Sequence, residues 1–177
     1  MNGESLLKIA RASISRGLGI DCPDPDLPPE FEAWGATFVT LTMGGELRGC
    51  IGTLEAYRPI HADARQNALS AAFSDPRFMP LSVAEWPSVK IEVSLLSQPA
   101  RMHFADETDA LSSLRPGIDG VIFECLGRRS TFLPQVWESL PEPAEFLSHL
   151  KRKAGLPAGF WSDEVQLFRY GVDKWKE

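Results

Sequence analysis

The run ATFVTLTM, then Gly44-Gly45, then ELRGCIG over residues 36–52 leaves this part of the chain little local choice. β-Branched and apolar residues dominate the first segment, and two adjacent glycines supply the positive φ angles that a two-residue hairpin turn demands. With the turn at Gly44-Gly45, Met43 faces Glu46, Leu41 faces Arg48 and Val39 faces Cys50. Directly facing residues share a face. This register therefore predicts Val39, Leu41, Arg48 and Cys50 on one side, with Phe38, Thr40, Thr42, Leu47 and Ile51 on the other. An isolated hairpin is only marginally stable, so the remaining sequence has to cover one of these faces.

The flanking segments offer that cover. Residues 5–17 place Leu7, Ala10 and Ile14 at helical spacing, widened by Leu6 and Ile9, with Gly17 or Gly19 as the stop. Residues 22–30, CPDPDLPPE, carry four prolines and read as an extended connector. Residues 59–73 read as a second helix, with a small-residue face of Ala64, Ala68, Ala71 and Ala72 suited to close packing on a sheet. VKIEVSLLS, residues 89–97, alternates as a half-buried strand. A short helix is expected at 106–114, a second hairpin around Gly127-Arg128-Arg129, a helix over 143–154 capped by Gly155, and one closing strand over 164–172. Hairpins rather than regular βαβ units point to an α+β fold with a mostly antiparallel sheet.

Composition narrows the function. Eighteen Lys and Arg against 24 Asp and Glu give a net charge of −6. That argues against a generic nucleic-acid binder, which needs a cationic surplus. No run of apolar residues approaches the length of a membrane span, and the charged N-terminal segment lacks a signal-peptide core, so the cytoplasm is the expected location. Three dispersed cysteines, Cys22, Cys50 and Cys125, do not suggest a secreted disulfide framework. The three histidines lack metal-binding spacing, and no phosphate-binding glycine loop occurs, so neither a metal nor a nucleotide cofactor is expected.

Two clusters carry chemistry. In Leu47-Arg48-Gly49-Cys50-Ile51-Gly52, the glycines weaken a strand and imply a bulge or the close approach of another group. Arg48 and Cys50, two apart on one face, have Cα atoms about 6–7 Å apart, near enough for a guanidinium to favour a thiolate. In Ser74-Asp75-Pro76-Arg77-Phe78, Asp75 can orient Arg77, and Arg77 can clamp an anion as a fork. The opposing readings are a small buried core cysteine and a local Asp-Pro turn. His61, eleven residues beyond Cys50, has nothing in the sequence that fixes it as a base for the thiol.

LRGCIGTLEAYRPI, AAFSDPRFMPL, KIEVSLLS, GIDGVIF, TFLPQVW and FLSHLKRKAGLP occur in this order over residues 36–157. Together they resemble the AMMECR-domain family. The resemblance implies a single AMMECR-type domain over residues 1–177, with residues 1–35 forming the N-terminal helix and connector. It implies an α+β fold of two unequal lobes around a mostly antiparallel sheet with flanking helices, and a cleft between the lobes. It places the site at Arg48, Gly49, Cys50 and Gly52, beside Asp75, Arg77 and Phe78, with Gln135 and Lys153 in other matching segments. It also implies Memo-like and radical-SAM proteins as partners, in the manner of the AmmeMemoRadiSam system. Two functions follow as expectations. One is an enzyme, or the catalytic partner of one, using Cys50 on a small polar or anionic substrate. The other is a non-catalytic module that docks a partner protein.

Overall fold

A computed structural model describes residues 3–177. The chain divides into two compact units, Met1–Leu96 with Asp173–Glu177, and Ser97–Val172.

The first unit is built on the hairpin. Strand β1 (Ala36–Met43) turns at Gly44 and Gly45, whose φ angles of 61° and 87° are those the turn requires, into β2 (Glu46–Gly52). Strand β3 (Val89–Leu96) pairs antiparallel on the other side of β1, and β8 (Val172–Lys176) completes the order β2-β1-β3-β8. Helix α1 (Gly3–Gly17) buries Leu6, Ile9, Ala10 and Ile14, which recur at three- and four-residue spacing. Its end is closed by Gly19 at φ 77°, with Ile20 N–H bonded to Ser15 O and Gly19 N–H to Arg16 O. Helix α2 (Ile60–Phe73) packs its alanine face on β1 and β2. Val39, Leu41, Ile91 and Val93 meet both helices in one core.

The hairpin register departs from the sequence expectation. Met43 faces Glu46, but Thr42 faces Leu47 and Leu41 faces Gly49, leaving Arg48 as the extra residue of a bulge. Beyond it the register has moved by one, so Thr40 faces Cys50 and Val39 faces Ile51. Cys50 therefore shares a face with Thr40, not with Val39 and Leu41. The reason is the packing of α2. A side chain on Gly49 would collide with the Ala71 carbonyl, so the strand presents a side-chain-free residue to the helix at this point.

The second unit holds the order β4-β7-β5-β6, from β4 (Ala100–Arg101), β5 (Gly120–Cys125), β6 (Arg128–Phe132) and β7 (Gln166–Tyr170), all paired antiparallel. Helix α3 (Glu107–Ser113) is capped by the Asp106 carboxylate, which accepts from Asp109 N–H at 2.9 Å. Helix α4 (Pro143–Lys153) buries Phe146, Leu147 and Leu150, and ends at Gly155 with φ 80°. Phe146 stacks on Trp137 with ring centroids 3.7 Å apart. The closing strand expected over 164–172 is present as β7, and past Gly171 the chain continues into an unexpected strand, β8, in the other sheet. That residue's N–H donates to Ser97 Oγ, and its carbonyl accepts from Ser97 N–H. Among the described residues, no helix is long and apolar enough to cross a membrane.

Candidate functional site

Strand β2 lies at the edge of its sheet, so alternate residues present N–H and C=O groups outward without a neighbouring strand. At Cys50 both groups are satisfied by one loop. The Asp75 carboxylate accepts the Cys50 N–H at 2.9 Å, and Arg77 Nη2 donates to the Cys50 carbonyl at 3.1 Å. Arg77 also grips Asp75 through Nε (3.0 Å) and Nη2 (2.7 Å). The Asp75 side chain is only 1% exposed. Hydrogen bonds from the Arg77 guanidinium, foremost, and from the backbone N–H groups of Cys50 and Arg77 hold its carboxyl well below the usual carboxylate range, against the opposing effect of burial.

Arg48 does not turn to the thiol. Its bulged position sends Nε to Glu85 Oε1 at 2.9 Å, and Nη2 to the Met79 carbonyl at 3.0 Å and to Glu85 Oε2 at 3.3 Å. Glu85 also accepts from Ser82 N–H and Ser82 Oγ. These bonds, that from Arg48 first, bring the Glu85 carboxyl down to about 2. The Phe78 ring lies between the two arginines, 5.8 Å from the Arg48 guanidinium carbon and 5.5 Å from that of Arg77. The expected pairing of Arg48 with Cys50 is thus replaced by Arg77, the arginine nearer the thiol. Its raised pKa comes first from Asp75, against burial, with smaller contributions from Cys50.

The side chain of Cys50 is half-buried on the face of the sheet opposite α2. Its Sγ lies 3.3 Å from Thr40 Oγ1. The Phe38 ring covers Gly52 on the same face, where any side chain at position 52 would collide with it. Arg48, Gly49, Cys50, Gly52, Asp75, Arg77 and Phe78 accordingly fall in one neighbourhood. Gly49 and Gly52 are accounted for by packing, and Arg48 and Asp75 by internal ion pairs. The thiol, the Thr40 hydroxyl and the half-exposed guanidinium of Arg77 remain for chemistry.

Other residues singled out from the sequence lie elsewhere. His61 sits 3.5 Å from Glu32 at the start of α2. Gln135 is exposed on a 3-10 turn (Pro134–Glu138) in the second unit. Lys153, in the same unit, donates to the Thr131 carbonyl at 2.8 Å. Among the described residues, no group of three or more His, Cys, Asp or Glu side chains is arranged to hold a metal ion.

Three features escaped the sequence reading. Thr40 was placed away from Cys50 because the bulge, one of the two readings of the glycines, was not carried into the hairpin register. Glu85 carried a usable sign, the Ser82-x-x-Glu85 spacing of a capping box. The third is a buried network around Asp63, whose carboxylate accepts from Thr37 N–H and Oγ1, Thr53 Oγ1, Arg58 Nε and Asn67 Nδ2. Asp63 and Asn67 stand four apart on the alanine face of α2, a polar interruption that marks such a network.

Comparison with known proteins shows the family and the fold. A protein of Methanothermobacter thermautotrophicus is 38% identical over 178 residues, covering 95% of this chain and 90% of its own. One of Thermotoga maritima is 37% identical over 157 residues, covering 87% and 85%. The crystal structure of an uncharacterised Pyrococcus horikoshii protein superposes with a TM-score of 0.78 at 31% identity, covering 99% of this chain and 91% of that one. The AMMECR1 family profile matches residues 7–175, which include both the bulged strand and the loop that clamps it, and the chain belongs to the AMMECR1 family.

Proposed function

We propose that this protein works through the Cys50 thiol, as an enzyme or the catalytic partner of one, on a small polar or anionic substrate. One observation carries the reading. Around Cys50 the backbone N–H and C=O are both bonded within the protein, while the side chain is left on a half-exposed face with a hydroxyl at 3.3 Å and the Arg77 guanidinium nearby. A rigid backbone, a soft nucleophile and an adjacent cation suit attack on an electrophilic carbon or sulfur beside a negative charge. The test is the rate of alkylation by iodoacetamide in the folded protein, read peptide by peptide. Cys50 is expected to react faster than Cys22, with Cys125, 3% exposed, protected. A Cys50 that reacts more slowly than Cys22 would overturn the reading.

A second reading has its own support. Leu47, Met79 and Val83 are exposed (42%, 81% and 55%) on the strand and loop joined by the Arg48–Glu85 pair. Exposed apolar residues on such a frame suit docking of a partner protein, for which Memo-like and radical-SAM proteins are the candidates. Loss of a co-expressed Memo-like or radical-SAM partner on Met79→Asp, with alkylation of Cys50 unchanged, would favour docking over thiol chemistry.

A further inference from the structure

We infer that Glu92 is a positioning residue for the Cys50 thiol and takes up its proton through the Thr40 hydroxyl; this rests on the thiol reading above. Three strands place the groups in a row. Thr40 on the middle strand β1 faces Cys50 on β2 and Glu92 on β3. Facing residues of antiparallel strands project from the same side of the sheet, with Cβ atoms about 4.5–5.5 Å apart. The thiol and hydroxyl are already in contact at 3.3 Å. A hydroxyl carries one proton and two lone pairs, so it can accept from the thiol while donating to a carboxylate. Two methylenes let the half-buried Glu92 carboxylate swing toward its neighbour's hydroxyl, directly or through one water.

The other ionisable groups near the strand are engaged elsewhere. Asp75 is held by Arg77, Glu85 by Arg48, and His61 lies beside Glu32. Glu92 makes no hydrogen bond or ion pair among the described residues. The ordinary pull of a carboxylate on a nearby thiol runs the other way, since a negative charge disfavours the thiolate. Relay and simple repulsion therefore predict opposite signs for the same substitution.

With iodoacetamide the step balances as follows. The Cys50 S–H bond breaks as the new S–C bond forms, the C–I bond breaks, and iodide departs with its electron pair. The thiol proton passes to Thr40 Oγ1 while the Thr40 proton passes to Glu92, which then releases it to water.

The experiment measures Cys50 alkylation at neutral pH in the wild type, Glu92→Gln, Thr40→Val and Thr40→Ser. A far-ultraviolet circular dichroism spectrum matching the wild type shows that each variant is folded, since Cys125 lies in the second unit and reports nothing of the first. Glu92→Gln and Thr40→Val are expected to slow the reaction about tenfold, a small share of what a positioned base supplies in catalysis. Thr40→Ser, which keeps the hydroxyl, is expected to restore the wild-type rate. A rate in Glu92→Gln equal to or above wild type, or slow alkylation of Thr40→Ser, would overturn the relay and leave the thiol reading intact. A wild-type Cys50 slower than Cys22 would overturn both.

Discussion

Each sheet has an edge strand that must be closed, and the two units close it with different chemistry. In the first unit, β2 is sealed at Cys50 by a carboxylate and a guanidinium that a loop brings in as a pair. In the second, β6 is tied to α4. Ser130 Oγ donates to the Leu150 carbonyl at 2.6 Å, Lys153 donates to the Thr131 carbonyl, and Arg128 donates to the Gly155 carbonyl at 3.1 Å. A loop carrying a charged pair makes a compact clamp that depends on protonation state. A helix lending its last carbonyls makes a broader seam with no buried carboxylate. The edge beside the candidate thiol is thus held by the more sensitive of the two devices.

The largest effect expected is from Asp75→Ala. It leaves the Cys50 N–H without an acceptor and the half-exposed Arg77 without its partner, at a cost of about 3 kcal/mol, the upper end for hydrogen bonds to a charged group. Chemical denaturation of this variant measures the loss, and a change below about 1 kcal/mol would remove the contrast between the two edges. Gly49→Ala comes next, at about 2 kcal/mol, because the new methyl meets the Ala71 carbonyl, a backbone atom that cannot swing aside. Ser130→Ala should cost about 1 kcal/mol, one neutral hydrogen bond on the seam of the second unit.

The smallest effect separates the edges by pH. Asp75 and Glu85 both have carboxyl groups lowered in the folded state, so the unfolded chain binds more protons in acid. Their contribution is complete above about pH 4.5 and falls away as pH drops toward 2. Glu85→Gln should flatten part of that loss in an acid titration of stability. Ser130→Ala should shift the whole curve without changing its shape.

Much of the fold was legible from local pattern. The hairpin turn needed two positive φ angles, and only glycines supply them cheaply. The stripe Leu7, Ala10 and Ile14, widened by Leu6 and Ile9, could be nothing but a helix face, although Leu7 proves only partly buried, and Gly19 and Gly155 stop their helices for the reason glycines usually do. The candidate site was half legible. Its residues came from a six-residue stretch and a five-residue loop that do converge, but the face on which Cys50 lies was read wrongly. That error has a physical source. A bulge adds one residue to one strand, and what dictates it here is the Ala71 carbonyl of a helix twenty-two residues downstream of Gly49. No local rule contains that contact. The same limit explains why Arg48 was assigned to the thiol instead of Glu85, and why Thr40 was missed. The end of the chain failed differently. The strand over 164–172 was legible, but nothing in the charged residues after Gly171 signalled a further strand that joins the first sheet.

The return of residues 173–177 to the first sheet bears on how the molecule is made. Synthesis runs from the N-terminus, so β1, β2 and β3 leave the ribosome long before β8, with all of Ser97–Val172 translated in between. During that interval the outer side of β3 has no strand beside it. The intervening segment forms a sheet and core of its own and can mature while the earlier one waits. Chains truncated after Gly171 and released should thus carry a finished second unit and an unfinished first one, a vulnerable state in which a chaperone or a protease would find an open strand edge.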